Sequence, residues 1–309
     1  MYKNMLVPLD GSRLAEEVFV YAKELAAKLD LELVLLHVCK PGQEEFIPMH
    51  LAYLDRASEL MMYQANELRG SEGLQQQRLQ GQSKCEVVVG YPAEEIIHYA
   101  EENNIDIILV ATHGRTGIKR WALGSVADKV LRASKVPIWL ARAGVPQEIG
   151  YDKWPSKTIL VPLDGSPLAE QILPHVEMLA KQRGTQLVEV MLIRVCEDPF
   201  VTADYPEASM PDTWQEHVKT MKAKLNEECF NYMRNVEKHL ADAGVKVQSD
   251  IIMGGNPASE IIAYAKNKPF NLIAMCTHGR SGINRLVHGS VAEKLLHEVP
   301  SPIFLVRPQ

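Results

Sequence analysis

Short apolar runs alternate along residues 1–142 with longer stretches in which apolar positions recur every three or four residues. Several of the short runs are apolar at nearly every position, which is typical of strands covered on both faces. The alternation therefore predicts a parallel α/β sheet with helices on both sides. The predicted strands are Asn4–Leu9, Glu32–Val38, Lys84–Val89, Ile105–Ala111 and Pro137–Ala141, and the predicted helices are Arg13–Lys28, Leu51–Arg69, Ala93–Glu102 and Ser125–Ala133.

The same pattern occurs a second time in the chain, and the match extends to individual residues. The offset between matching segments is 154 residues near the start of the unit and 165 residues near its end. The second unit is therefore longer than the first by an insertion between its first and third strands. The clearest pairs are Met5–Ser12 with Ile159–Ser166, Thr112–Ile118 with Thr277–Ile283, and Gly124–Lys129 with Gly289–Lys294.

This repeat predicts two tandem domains, residues 1–142 and 158–309, joined by a glycine- and proline-containing linker at 143–157. Each domain is expected to be a doubly wound, Rossmann-like fold with a five-stranded parallel sheet. In such a sheet every strand-to-helix turn lies at the carboxyl edge, where ligands bind.

Composition narrows the classes of function. The 309 residues include 33 Lys and Arg against 39 Asp and Glu, a net charge of −6, which argues against a nucleic-acid-binding protein. No apolar run approaches the ~20 residues needed to cross a bilayer, so we expect no membrane association and a cytoplasmic location. The five cysteines show no C-x-x-C spacing, and we expect reduced, mostly buried thiols and no metal site.

The turn after the first strand carries the first candidate chemistry. Asp10 ends the strand, Gly11 is free to take a positive φ, and Ser12 is placed as a helix N-cap. The second repeat has the same turn, with Asp164 at the position of the carboxylate. A well-capped turn would explain the glycine and the serine, but the carboxylate also suits a ligand hydroxyl group.

The turn after the fourth strand contains the second group of candidate ligand-binding residues. A glycine-bearing loop after Ala111 leads to a predicted helix whose first free N–H groups would belong to Gly124, Ser125 and Val126. Such a helix terminus is an anion-binding corner, because amide donors and the positive end of the helix dipole converge there. Arg115 could add positive charge from the loop.

These motifs resemble those of the universal stress protein family in its tandem, two-domain form. The resemblance rests on V-P-L-D-G-S at the start of each repeat, a G-x2-G-x9-G-[ST] loop followed by V-A-[DE]-K, and a closing V-P-I strand. It implies sheets with strand order 3-2-1-4-5, and ATP with its ribose and adenine near the first turn and the second strand. It also implies an intramolecular pseudo-dimer through the last strands and leaves a homodimer open.

The resemblance carries a set of nucleotide-binding positions onto each repeat. The first glycine of the loop is replaced by Ala111 and by Cys276, which puts the second site in more doubt than the first. The histidines that follow are interpreted as residues shaping the loop or touching phosphate, without a catalytic role. The positions are Pro8, Asp10, Val38, Ala111, His113, Gly114, Arg115, Gly124, Ser125 and Val126, then Pro162, Asp164, Val195, Cys276, His278, Gly279, Arg280, Gly289, Ser290 and Val291.

Three functions are compatible with the sequence. The first is an ATP-binding regulatory protein of the stress response, in which occupancy alters loops sensed by a protein partner. The second is a nucleotide-free, dimerising interaction scaffold of the same fold. The third, a slow ATPase or phosphotransferase, ranks last because no Walker lysine motif or kinase-like Asp–Asn pair is present. Whether Mg²⁺ accompanies the phosphates is left open.

Overall fold

The computed structural model describes residues 1–71, 83–112, 123–142, 157–197, 212–268, 270–279 and 289–308, and ten strands in these ranges form one continuous sheet. The order is β3-β2-β1-β4-β5-β10-β9-β6-β7-β8, so each half has the predicted order 3-2-1-4-5. The α/β fold class is confirmed. The strands are β1 (Asn4–Pro8), β2 (Glu32–Cys39), β3 (Ser83–Val89), β4 (Ile107–Ala111), β5 (Ile138–Ala141), β6 (Lys157–Pro162), β7 (Val188–Cys196), β8 (Lys246–Met253), β9 (Leu272–Cys276) and β10 (Ile303–Val306).

One antiparallel pair joins the two halves. Strand β5 lies beside β10 with Trp139 directly opposite Phe304, whereas the strand pairs within each half are parallel. The two rings are buried at this seam, with centroids 6.0 Å apart and planes inclined at 62°. Each half thus covers the edge strand that the other would expose. The two predicted five-stranded sheets are one ten-stranded sheet.

Helices cover both faces of this sheet. Side chains alternate along the strands, so Met5 and Val7 of β1 belong to one apolar core while Leu6 belongs to the other. Both cores run through the two halves. The first core packs under α1 (Arg13–Glu16), α2 (Phe19–Leu29), α3 (Ile47–Ser71), α6 (Pro167–Glu170), α7 (Leu173–Arg183) and α8 (Asp212–Asp242), and the second under α4 (Pro92–Glu102), α5 (Ser125–Ala133), α9 (Pro257–Asn267) and α10 (Ser290–Glu298).

The predicted helix Arg13–Lys28 is wrong in one respect, because it is divided into α1 and α2. The backbone at the break makes i to i−3 hydrogen bonds, from Glu17 N to Leu14 O and from Val18 N to Ala15 O. Such bonds tighten the chain and shift the direction of the helix axis. The second half has the same break between α6 and α7, so it belongs to the repeat. Helix α3 also begins four residues before the predicted Leu51, with Pro48 in its first turn.

Two arginines at equivalent positions in the repeat each form hydrogen bonds to the other half. Arg142, after β5, donates to the carbonyl oxygens of His297 and Val299 at the end of α10. Arg307, after β10, donates to the carbonyl oxygen of Arg132 at the end of α5, at 2.9 Å. A cation at a helix carboxyl terminus complements the dipole and satisfies carbonyl groups left without a helical partner.

The expectation of reduced thiols is wrong for two of the five cysteines. Cys196, the last residue of β7, forms a disulfide with Cys229 of α8, which packs against β7 and β8. The two lie 33 residues apart in the sequence, and spacing of that kind does not predict a pairing. The other three, Cys39, Cys85 and Cys276, are free thiols, as expected.

A partly buried polar contact also links the halves near the amino terminus. The Tyr2 hydroxyl lies 2.5 Å from Nδ1 of His175 on α7. Burial raises the pKa of the Tyr2 phenol and lowers the pKa of the His175 imidazole, so both groups stay neutral and the hydroxyl donates to the ring nitrogen.

The lowered pKa of His175 predicts an acid-side loss of stability. Between the pKa of the folded state and the ordinary value of 6.5, the unfolded chain binds a proton at His175 that the folded chain does not. The free energy of unfolding should therefore fall as pH drops below 6.5. Urea unfolding of wild type and His175→Gln from about pH 7.5 to about pH 5 checks this, since that range brackets the ordinary pKa of histidine.

The variant should lose part of the acid-side slope, because the introduced glutamine carries no titrating group while its amide oxygen can still accept from Tyr2. Exposed His239, near the carboxyl end of α8, supplies the control, and His239→Gln removes one surface histidine without touching the contact between Tyr2 and His175. Identical slopes for wild type and His175→Gln would contradict the prediction.

Candidate functional site

Two cavities lie at the carboxyl edges of the sheet, one in each half. The first cavity, of about 500 Å³, opens between the ends of β1, β2 and β4 and the start of α5. The second cavity, of about 360 Å³, occupies the equivalent place between β6, β7, β9 and α10. Both volumes fall within the range of small-molecule sites.

The acidic turn forms one wall of each cavity, and its carboxylate also shapes the turn. Oδ1 of Asp10 accepts a hydrogen bond from the N–H of Ser12 at 2.9 Å, and Gly11 has a φ of 77°. The hydroxyl of Ser12 caps α1 by accepting from Ala15 N at 3.1 Å. The predicted capping and positive φ are confirmed. The aspartate is therefore held by its own loop, and this fixes the direction of its carboxylate.

The amino terminus of the last helix forms the opposite wall, with one difference from the sequence analysis. The N–H of Gly124 is not free, because it donates to the carbonyl oxygen of Thr112 at 2.7 Å. Gly289 makes the same bond to Thr277 at 2.8 Å. The helical ladder of α5 begins with Asp128 N donating to Gly124 O, so the amides of Ser125, Val126 and Ala127 precede it. The anion-binding donors thus begin one residue later than predicted.

Gly124 and Gly289 each hydrogen-bond the residue that follows β4 or β9. Gly289 also lies close to that residue's backbone. A Cβ built on Gly289 would lie 3.2 Å from the carbonyl oxygen of Thr277, the same atom that accepts its N–H. The φ of Gly289 is −58°, a value open to any residue, so close approach and not backbone strain favours glycine at this position.

The residues that replace the first loop glycine are in ordinary strand conformation. Ala111 is the last residue of β4 and pairs with Ala141, and Cys276 is the last residue of β9 and pairs with Val306. Neither has a positive φ. Their side chains therefore cost nothing in backbone strain, and what they change is the shape of the cavity wall.

Most of the residues predicted for the two sites line the two cavities. Those at the first cavity are Pro8, Asp10, Val38, Ala111, Gly124, Ser125 and Val126. Those at the second are Pro162, Asp164, Val195, Cys276, His278, Gly279, Gly289, Ser290 and Val291. The remaining four, His113, Gly114, Arg115 and Arg280, lie outside the described residues.

Sequence reasoning missed an imidazole pair at the first cavity. The buried His37 of β2 lies with Nδ1 2.8 Å from the carbonyl oxygen of Leu9, so this nitrogen carries the hydrogen. Its ring stacks on His50 of α3, with centroids 3.9 Å apart and planes inclined at 20°. Both rings line the cavity beside Val38. Their separation in sequence hides the pair, because nothing local places α3 over the end of β2.

Lys129 also lines the first cavity, and Lys294 lines the second. The position of this lysine can be predicted from the sequence. Lys129 follows Ser125 by four residues on α5, so both side chains lie on the same helical face. The V-A-[DE]-K motif repeats this spacing in both halves, which brings a cation to the amide donors of each helix terminus.

The second cavity differs at the position of the imidazole pair. The strand register places Arg194 where the first half has His37. The guanidinium of Arg194 lies over the ring of Tyr232, 4.6 Å from its centroid, and approaches Gly165 so closely that a Cβ there would be 2.8 Å from Nη2. Cys196, two residues further along β7, is bonded to Cys229. None of these four side chains lines the second cavity, so the described lining of the second cavity has no counterpart of the imidazole wall of the first.

The described part of the chain shows neither a metal-binding cluster nor a helix able to cross a membrane. No group of three or more His, Cys, Asp or Glu side chains there is arranged to hold a metal ion. Within the same residues no helix combines the length and apolarity that crossing a bilayer requires.

The comparisons with known proteins all identify the same family. The model of the Universal stress protein family matches residues 1–142 and again 155–307. Universal stress protein MJ0577 of Methanocaldococcus jannaschii is 31% identical over 157 residues, covering 49% of this chain and 94% of that relative. Universal stress protein Rv2005c of Mycobacterium tuberculosis is 21% identical over 311 residues, covering 98% of this chain and 97% of that relative.

Solved structures match over nearly the whole length. A universal stress protein from Archaeoglobus fulgidus superimposes with a TM-score of 0.63 at 23% identity, covering 98% of each chain. A putative universal stress protein from Pseudomonas aeruginosa gives a TM-score of 0.67 at 17% identity, covering 99% of this chain and 94% of that one. At these identities the likeness shows the fold.

The burial of Cys276 predicts an unreactive thiol in the wall of the second cavity. Desolvation raises the pKa of this thiol to about 12, so almost none of it is thiolate at a mildly alkaline pH of about 8. Iodoacetamide at that pH should leave Cys276 unmodified in the native protein and alkylate it in urea, as peptide mass spectrometry can show. Rapid alkylation of Cys276 in the native protein would contradict this burial.

Proposed function

Because the chain belongs to the universal stress protein family, we propose that it is an ATP-binding regulatory protein of the stress response. Each half would bind one nucleotide at its cavity. Occupancy would alter the loops at the sheet edge, which an unidentified protein partner would sense in the cytoplasm. Chemical turnover of ATP is not part of this function.

One observation carries the proposal: each cavity has three walls of different chemistry that suit the three parts of a nucleotide. The carboxylate of Asp10 faces the cavity from one side and suits the ribose hydroxyl groups. The amides of Ser125 and Val126 suit phosphate oxygens. The apolar end of β2 at Val38, beside the imidazole pair, suits a planar base.

The binding free energies that these groups can supply favour a whole nucleotide over free phosphate as the ligand. A helix amino terminus contributes ~0.3–1 kcal/mol toward an anion and ~2 kcal/mol when partly buried. Micromolar binding requires about 8 kcal/mol. The remainder must come from base burial and ribose hydrogen bonds. Lys129 and Lys294 add positive charge near the phosphates and reduce the need for a metal ion there.

The direct test is the content of the freshly purified protein. Denaturation followed by mass spectrometry of the released small molecules should detect adenine nucleotides, and titration calorimetry of the stripped protein should detect ATP binding. Protein that carries no nucleotide and shows no heat with ATP would favour the nucleotide-free scaffold instead.

Gly124→Asp is expected to abolish ATP binding at the first site. The variant places a carboxylate at the start of α5, where phosphate would lie, and like charges ~4 Å apart repel by ~4 kcal/mol at an effective dielectric constant of ~20. Affinity at the first site should fall by about a hundredfold or more. The fold should survive, since aspartate is a favoured N-cap residue and the φ of −65° suits it.

Gly124→Asn is the matched control, because asparagine has nearly the same shape, caps helices equally well and carries no charge. It should change affinity by no more than about threefold if repulsion is the cause. Equal losses in both variants would indicate steric exclusion by the side chain, and unchanged binding in Gly124→Asp would refute the phosphate position.

The two sites should bind ATP unequally. The second cavity is smaller, and the Cys276 side chain is bulkier than that of Ala111 at the equivalent position. We expect the second site to be weaker by about 1 kcal/mol, or roughly fivefold. Calorimetry with one site disabled at a time, by Gly124→Asp or Gly289→Asp, measures each affinity separately.

Exchanging the side chains at positions 111 and 276 tests whether they cause the difference in ATP affinity between the two sites. Cys276→Ala should strengthen the second site and Ala111→Cys should weaken the first, each by a few-fold. Two equal sites in the wild-type protein, or exchanges that leave both affinities unchanged, would contradict the explanation.

A further inference from the structure

The residue that follows the second strand carries opposite charge in the two halves. In the strand register Leu36 and Ile193 pair with the equivalent prolines of β1 and β6, so these two residues correspond. Four residues further along, the chain has Lys40 in the first half and Glu197 in the second. Lys40 lines the first cavity and Glu197 lines the second, so the reversal of charge lies within the two candidate sites.

The opposite end of each cavity has the same chemistry in both halves. Ser125 and Lys129 line the first cavity, and Ser290 and Lys294 line the second. A nucleotide is therefore expected to lie in the same orientation in both cavities, with its phosphates at the last helix and its base toward the end of the second strand. The residue after that strand then faces the same part of the base in each half.

Lys40 and Glu197 are both able to turn toward a ligand. Each residue is exposed and also lines its cavity, so it lies where the cavity meets solvent. Within the described part of the chain neither side chain forms an ion pair or a hydrogen bond. A bound base would therefore not have to displace an existing partner from either group.

The two groups make opposite demands on a base. A lysine ammonium only donates hydrogen bonds, whereas an ionised carboxylate only accepts them. In adenine the atom farthest from the ribose is the amino nitrogen on C6, which is a donor, and guanine and hypoxanthine have an oxo acceptor at that position. With the ribose at the acidic turn, this C6 group is the part of a purine that extends furthest toward the residue after the second strand.

We propose that the residue after the second strand determines which purine each half binds, an inference that rests on the proposed function. Glu197 accepts a hydrogen bond from a 6-amino group and repels a 6-oxo group, so the second site is selective for adenine nucleotides. Lys40 donates to an oxo group or to a ring nitrogen, so the first site binds 6-oxopurine nucleotides as well as adenine nucleotides. The chain thus combines one adenine-selective site with one site of broader purine specificity.

Calorimetric titration of the stripped full chain with ATP and with inosine triphosphate tests this specificity, because the two nucleotides differ by the exchange of a 6-amino for a 6-oxo group. ATP should fill both sites of the wild-type protein and inosine triphosphate only one. With the first site disabled by Gly124→Asp, the second should bind inosine triphosphate about tenfold more weakly than ATP, as expected for a lost hydrogen bond to a charged group. With the second disabled by Gly289→Asp, the first should bind the two within about threefold of each other.

Reversing the charge identifies the residue responsible. Glu197→Lys should raise the affinity of the second site for inosine triphosphate relative to ATP by about tenfold, and Lys40→Glu should lower the same ratio at the first site by a similar factor. Glu227→Lys makes the matched charge change at an exposed position of α8 that does not line the cavity, and it should leave both ratios unaltered.

The possible failures are distinguishable. If both sites bind ATP and inosine triphosphate with the same preference, or if inosine triphosphate fills both sites of the wild-type protein as tightly as ATP does, the inference is overturned and the proposed function stands. If neither nucleotide binds at either site, the proposed function is refuted and the inference falls with it. The wild-type titrations alone decide between these outcomes, so the test does not depend on the folding of any variant.

Discussion

The two cavities depend on one constraint of chain topology: at one place in each half, two adjacent parallel strands send the chain to opposite faces of the sheet. After β1 the chain enters α1 and α2 on the face of the first core, and after β4 it enters α5 on the face of the second. Since β1 and β4 are adjacent, a crevice opens between their carboxyl ends that no helix can fill. The acidic turn and the helix terminus necessarily face each other across it.

Repetition of the unit has produced equivalent crevices with different surroundings. The turn and its serine cap are the same in both halves, because adjacent motif residues specify their local hydrogen bonds. The amides of Gly124 and Gly289 also donate to equivalent threonines. The surroundings of the second strand's end differ, because His37 and His50 line the first cavity, whereas Arg194 and Tyr232 pack together in the other half without lining its cavity. Under the proposed function, this difference would allow the two halves to respond to different nucleotide concentrations.

The junction between the halves combines apolar and charged elements. Trp139 and Phe304 meet at the antiparallel seam, and Arg142 and Arg307 each cap a helix of the other half. These contacts follow the pseudo-twofold relation. The ion pairs of Glu24 with Lys157 and Arg183 do not, because Met178 stands at the position equivalent to Glu24.

Much of this arrangement is predictable from the sequence, because it depends on local patterns. Apolar periodicity predicts the strands, the internal repeat predicts two similar units, and the capped turn at Asp10 follows from three adjacent residues. The sequence does not show that the amide of Gly124 is engaged, because its acceptor, Thr112, lies across a loop of intervening residues. The pairs His37–His50 and Cys196–Cys229 join a strand to a distant helix, and only the packing of α3 and α8 brings them together.

The central claim is that the helix amides bind the phosphates of a nucleotide whose ribose contacts the acidic turn. A crystal structure of the protein soaked in millimolar ATP tests it most directly, in a lattice that leaves both sheet edges open to solvent. We expect phosphate density against the amides of Ser125 and Val126, with the ribose beside Asp10. Cavities that contain only ordered water under those conditions would contradict it.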